Sequence, residues 1–215
     1  MPKDTLFYKI LQTVALIFLG HLVMMTGIIF GLGIFLTLPA FMTVFDLYNQ
    51  IKDRTDFARL KLLSFVLKRF KKYGRTYALI SACWSLCLIL IMVNCSYLLT
   101  HWGLIGYGMV FISLIIFYGI LSFGILFAYL VVHYPDKSLS EIYRNALAYS
   151  IARAVELWIG NILILALILA FENISLGLMI CTFLGIISYS YFKLCGLLLS
   201  GLSINRLIRD WRRSE

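Results

Sequence analysis

Apolar residues in this chain come in five long runs, 10–37, 76–99, 103–133, 155–171 and 174–204, with polar links between them. A helix needs about 20 apolar residues, with a range of roughly 17–25, to cross the hydrocarbon of a bilayer. Each run therefore predicts one membrane-spanning helix. The first, third and fifth are longer than a crossing requires. The excess of the first run lies in "GLGIFLTLPAFMTVFD", Gly31–Asp46, where Pro39 interrupts it. Proline lacks the N–H that a continuing helix needs but fits the first turn of a new one. The pattern predicts a span ending near Leu36, a break at Thr37–Pro39 and a second short helix over Ala40–Gln50. A single kinked helix is the alternative. In all three overlong runs the excess is expected at the cytoplasmic side, as helix ends that project past the membrane or lie along it.

Two of the links repeat at helical spacing, and amphipathic helices are expected over about 58–74 and 138–152. In "LKLLSFVLKRFKKYGR", Leu62, Leu63, Val66, Leu67, Phe70 and Tyr73 share one face, and Lys61, Ser64, Lys68, Lys72 and Arg75 share the other. Such a helix can lie on the inner leaflet with its cations at anionic headgroups, dock a protein, or pack internally. The residues singled out for surface binding or docking are Lys61, Phe65, Lys68, Phe70, Lys72 and Arg75, with Phe65 and Phe70 as the docking anchors. In "PDKSLSEIYRNAL", Pro135 is expected to end the third span and Ser138 or Ser140 to cap the next helix; with Ser138 as the cap, Glu141 three residues later forms a capping box. "FVLKRFKKYGRTYALI" can be laid over "YRNALAYSIARAVELW" without gaps, pairing Phe65 with Tyr143 and Arg75 with Arg153. A duplicated span–link–span unit and a coincidence of hydropathy both account for that.

Composition strengthens the membrane reading. Of 215 residues 62% are hydrophobic and only 13% charged, and mean hydropathy is +0.94. Soluble domains carry about a quarter charged residues. The fold class expected is all-α: a polytopic integral membrane protein with five transmembrane helices and amphipathic cytoplasmic linker helices, forming one membrane domain over 1–215. The first run reads as a retained span, being far longer than a signal-peptide core. The formal net charge is +9, and its placement matters more than its size. Nine Lys or Arg lie within 47–75, three within 134–155 and four in the tail, whereas the turns "LLTHWGL" and "AFENISL" have none. The positive-inside rule places the basic segments in the cytoplasm and, with five spans, the N-terminus outside. Lys3 and Lys9 point the other way. Headgroups of the lipid bilayer account for the charge, and nucleic acid is not an expected partner.

Polar residues inside the spans are the candidates for chemistry. His21 lies mid-span. Asn94 and Asn161 are expected to hydrogen-bond between helices. Glu156 and Lys193 fall near the inner interface, where they can pair or Lys193 can reach the headgroups. Asp46 is expected at the cytoplasmic surface near the basic link. Gly27 and Gly31 form a Gly-x-x-x-Gly pattern that, with Pro39, points to close helix packing, within the chain or in a homo-oligomer. Cys83, Cys87, Cys95, Cys181 and Cys195 all lie in apolar runs and read as small buried hydrophobes, not ligands. No His or acid completes a metal site with Cys83 and Cys87, and neither a metal nor a cofactor is expected. There is no nucleophile, zinc or phosphate-loop motif, so no enzymatic activity is expected.

The segments "GIFLTLPAFMTVFDLY" and "SFVLKRFKKYGRTYAL" together resemble the YesL-like bacterial membrane proteins, a family defined by a domain of unknown function. The resemblance covers residues 10–95 in its motifs and the remainder only by span pattern. It implies a multi-pass protein of the bacterial cell membrane. It also implies an accessory or regulatory role beside a carbohydrate uptake permease or sensing system, with membrane transport or sensor proteins as partners. A small oligomeric transporter is the alternative. It supplies no functional residue.

Overall fold

The computed structural model describes residues 6–31, 33–52, 62–174 and 176–200, with side chains described over 10–31, 33–50, 64–103, 105–166 and 183–200. Seven helices follow one another: α1 Leu6–Phe30, α2 Thr37–Lys52, α3 Leu62–His101, α4 Gly103–His133, α5 Leu139–Ala152, α6 Ala154–Ile174 and α7 Leu176–Leu199. The all-helical class expected from the apolar runs is what the described residues form. Three helices, α1, α3 and α4, are long and apolar enough to cross a membrane, and a fourth crossing results if α5 and α6, bent by 80°, count as one broken span. In α7 the apolar stretch within the described residues is shorter, Phe183–Leu199.

The excess of the first run does not continue away from the bundle. The chain reverses. A Cβ at Gly20 would meet the Tyr48 ring, and one at Gly27 would lie 2.6 Å from the Ala40 Cβ. Early α1 thus lies against late α2, and late α1 against early α2, so the two helices form an antiparallel hairpin. The break falls at 31–36, upstream of the expected Thr37–Pro39. The cause is local: Gly33 adopts φ +70°, a left-handed conformation open to glycine. Its N–H caps the Ile28 carbonyl at 2.8 Å. Pro39 then sits within the first turn of α2, where no N–H is required. Two serines of α3 pin the turn. Ser81 Oγ accepts from the Leu38 N–H at 3.1 Å, and Ser81 and Ser85 both donate to the Ile34 carbonyl.

α2 is the centre of the bundle. Every residue from Leu38 to Tyr48 is buried, enclosed by α1, α3, α4 and α7. Phe45 packs against Phe41, Tyr129 and Phe192 with ring centroids 5.8–5.9 Å apart. Tyr48 stands edge-on to Phe192 and Tyr189. This burial explains why the run had to stay apolar well beyond one crossing.

The first basic link is not a separate surface helix over 58–74; within the described residues it is the first part of the 40-residue α3. The second link does form its own helix, α5, and the capping box is present, with the Glu141 N–H donating to Ser138 Oγ and the Ser138 N–H to Glu141 Oε2. α5 folds back on α4, where Tyr143 lies 5.1 Å from the Phe123 ring. The two links therefore differ at their aligned arginines. α3 runs straight through Arg75, whereas the chain turns at Arg153.

The glycine pattern works within the chain. Gly27 admits Ala40 and the Phe70 ring, and Gly31 admits Leu36. Replacing both with Leu is expected to splay the α1–α2 hairpin and to lower the unfolding midpoint of detergent-solubilised protein without changing its oligomeric state, read by light scattering. A changed oligomer at unchanged stability would refute the internal role.

Candidate functional site

At the C-terminal end of α2 the bundle opens into a cavity of about 540 Å³. Asp46, Asn49 and Gln50 come from α2; Arg69, Lys72, Tyr73, Thr76 and Tyr77 from α3; Val131, Val132 and Pro135 from the end of α4 and the residues after it. Asp46 is buried, not set at the surface as expected. It survives burial because two groups of α3 meet it: Arg69 Nε at 2.9 Å and the Tyr73 hydroxyl, which donates at 3.1 Å to the same oxygen, Oδ2. Spacing explains the arrangement. Arg69 and Tyr73 are four residues apart and share one face of α3, the face that packs on α2. The Arg69 guanidinium also lies over the Phe65 ring at 5.5 Å.

The structure gathers some of the expected surface residues here and uses others for packing. Lys72 lines the cavity, its Nζ 5.9 Å from the Tyr73 ring centre. Phe70 is not a free docking anchor: it packs on the core, against Gly27. Val66, Tyr73 and Tyr77 join it there, so part of the apolar face is used internally, while Leu67 stays exposed and Val66, Leu67 and Phe70 line an apolar groove beside α1. Phe65 is half-buried beneath Arg69, while Lys68 and Arg75 are exposed. Lys61 lies outside the described residues.

The intramembrane candidates fall elsewhere. Asn161 joins three helices: its Nδ2 donates to Ser122 Oγ on α4 at 3.1 Å, and its Oδ1 accepts from the Tyr191 hydroxyl of α7 at 2.6 Å. Asn94, by contrast, is exposed on the outer part of α3 and makes no such bond among the described residues. Glu156 pairs with Arg153 at 3.0 Å, not with Lys193. Lys193 lies over the Tyr189 ring at 5.4 Å and is exposed. Cys195 is buried as expected, but Cys83 and Cys87 are exposed. They lie on the side of α3 that neither α2 nor α4 covers. Cys181 has no described side chain. Among the described residues no group of His, Cys, Asp and Glu is arranged to hold a metal.

His21 of α1 is buried against α7, and its Nδ1 has no hydrogen-bond partner among the described residues. An unsatisfied buried nitrogen costs about 1–3 kcal/mol. His21→Leu, similar in volume, is therefore expected to leave the fold intact and to raise the unfolding midpoint in detergent. A lowered midpoint would show that the imidazole has a partner or a role of its own.

The cavity was not legible as a site from sequence. Its signal was an arginine beside the apolar stripe of an otherwise well-sorted helix, four residues before Tyr73, together with the lone acid of the Pro-Ala segment. No family model, curated protein or solved structure matches the chain.

Proposed function

We propose that the chain is a multi-pass protein of the bacterial cell membrane with a non-enzymatic accessory or regulatory role, acting beside a membrane transport or sensing system, the carbohydrate permeases that the YesL-like resemblance implies being the first candidates. The observation that carries this reading is the position of α2. A translocation route would be expected to run through the centre of the bundle, and there Leu38–Tyr48 is buried throughout and packed with aromatic rings. The polar cavity lies only at one end of this solid core. A site at one face beside a filled centre suits a protein that senses or couples better than one that conducts.

The α1–α2 reversal supports an orientation different from the one expected from counting five spans. The start of α1 and the end of α2 lie at the same end of the bundle. With the nine basic residues of 47–75 in the cytoplasm, the N-terminus is there too, and Lys3 and Lys9 then obey the positive-inside rule. Single cysteines at Lys3 and at Ser64, in a cysteine-free background in intact cells, should both resist an impermeant thiol reagent. Labelling at Lys3 alone would restore the outside N-terminus and refute a membrane-crossing hairpin.

The function is tested by pull-down from native membranes in mild detergent or nanodiscs. Recurrent recovery of a permease or sensor subunit is the expected result. A monodisperse homo-oligomer alone, with substrate flux in liposomes, would overturn it in favour of transport.

A further inference from the structure

The charges and donors lining the cavity do not balance. Asp46 spends its charge on Arg69, and only Arg69 Nε is engaged; the two terminal nitrogens of the guanidinium have no acceptor among the described residues. Arg69 keeps 33% of its side chain exposed. Lys72, one turn from Arg69 and on the same cavity wall, has no carboxylate partner among the described residues. The side-chain amides of Asn49 and Gln50 face the same space from α2 and make no hydrogen bond within the described chain. One net positive charge therefore stands beside a set of unused N–H donors. Val131, Val132 and Pro135, from the end of α4 and the residues after it, give an apolar wall, and Tyr77 of α3 lines the cavity as well. A volume of about 540 Å³ falls in the range that holds small ligands.

We propose that this cavity binds a phosphate group on a small organic body. The phosphate oxygens take Lys72 Nζ and the free edge of the Arg69 guanidinium, the Asn49 and Gln50 amides supply further donors, and the carbon portion lies on the wall from α4. Guanidinium and ammonium groups together favour phosphate, since arginine presents a planar fork and lysine a point charge. Asp46 has a second part here. By holding Nε it turns the other edge of the guanidinium toward the cavity and lowers the net charge to a level that one phosphate can neutralise. The inference deepens the reading of this cavity as the functional site, and it identifies the ligand chemistry. The phosphate can come from a soluble phosphomonoester or from the headgroup of a phospholipid.

The test uses the full chain in nanodiscs, with no partner protein present. Glycerol 3-phosphate is titrated into zwitterionic phosphatidylcholine discs while the unfolding midpoint and the heat of binding are followed. Separately, phosphatidylglycerol replaces part of the lipid. Saturable binding of glycerol 3-phosphate assigns the soluble source. A shift with phosphatidylglycerol alone assigns the headgroup. In either case Lys72→Gln should weaken the response about tenfold, the loss expected for one charge-assisted hydrogen bond. Lys71→Gln, on the same helix and outside the cavity, should not, and Lys72→Arg should retain binding. Gln50→Glu, which leaves both cations in place but adds a competing carboxylate, should abolish the response even where Lys72→Gln folds poorly. Equal losses with Lys71→Gln and Lys72→Gln would reduce the effect to surface charge and overturn the proposal, as would no response to either ligand. A failed pull-down touches only the accessory role, and a failed titration touches only this site.

Discussion

Asp46→Ala is expected to destabilise the protein by about 3 kcal/mol, the low end of the range for breaking a buried ion pair. The low end applies because Arg69 keeps a third of its side chain exposed, against a tenth for Asp46. The loss has two parts. Arg69 is left over the Phe65 ring without its counter-charge, and the Tyr73 hydroxyl, on a buried residue, loses its acceptor. Asp46→Asn should cost less, because an amide oxygen can still accept from Tyr73. The double variant Asp46→Ala with Arg69→Met should recover much of the loss, since removing both charges leaves no orphan ion. Unfolding midpoints in detergent of the wild type, Asp46→Ala, Arg69→Met and the double variant complete the cycle. Additive losses from the two single changes would mean that the pair contributes nothing as a pair. The expected outcome is a double variant more stable than Asp46→Ala, with the phosphate response weakened in the double variant, which lacks Arg69.

What the sequence made legible follows from how far each signal reaches. The capping box needs only four consecutive residues, and it stands as read. Helical class needs only composition over some twenty residues and stands too, whereas of the five expected spans only three helices among the described residues, or four with the bent α5–α6 pair, are long and apolar enough to cross a membrane. The reversal between α1 and α2 was hidden because a helix that crosses lipid and a helix buried by four neighbours demand the same apolar composition. Nothing in "LPAFMTVF" separates the two. Gly31 and Gly33 did carry the turn, but reading Pro39 as the break placed it three to six residues too late. The basic segment misled in the opposite sense. Its amphipathicity was real, yet much of the apolar face packs on the core while Leu67 stays exposed, and periodicity cannot name the surface that a stripe will meet. Asp46 shows the general difficulty. Its partner lies 23 residues away in sequence, and the pairing exists only because α2 and α3 run antiparallel.

The contact between α1 and α7 yields the last expected result, and its effect should rival that of Asp46. Gly185 lies where α7 crosses α1. A Cβ there would fall inside contact distance of the Ile17 carbonyl oxygen and 3.1 Å from the His21 Cβ. Backbone cannot rotate away as a side chain can, so even Gly185→Ala must push the two helices apart. Overpacking of this kind costs about 1–3 kcal/mol and sometimes more, and the upper end is expected because the neighbour is main chain. The displacement would also reach Ser188, one turn on, whose Oγ lies 3.2 Å from the Tyr48 hydroxyl, and through Tyr48 the aromatic packing around α2. The same change elsewhere gives the contrast. Gly119 on α4 has open space where its Cβ would go, and alanine is the better helix former by about 0.5–1 kcal/mol. Gly119→Ala should therefore be neutral or stabilising, while Gly185→Ala lowers the midpoint and Gly185→Val lowers it further. If Gly185→Ala proves as silent as Gly119→Ala, then α1 and α7 do not pack through this glycine, and the enclosure of α2 on that side is wrong.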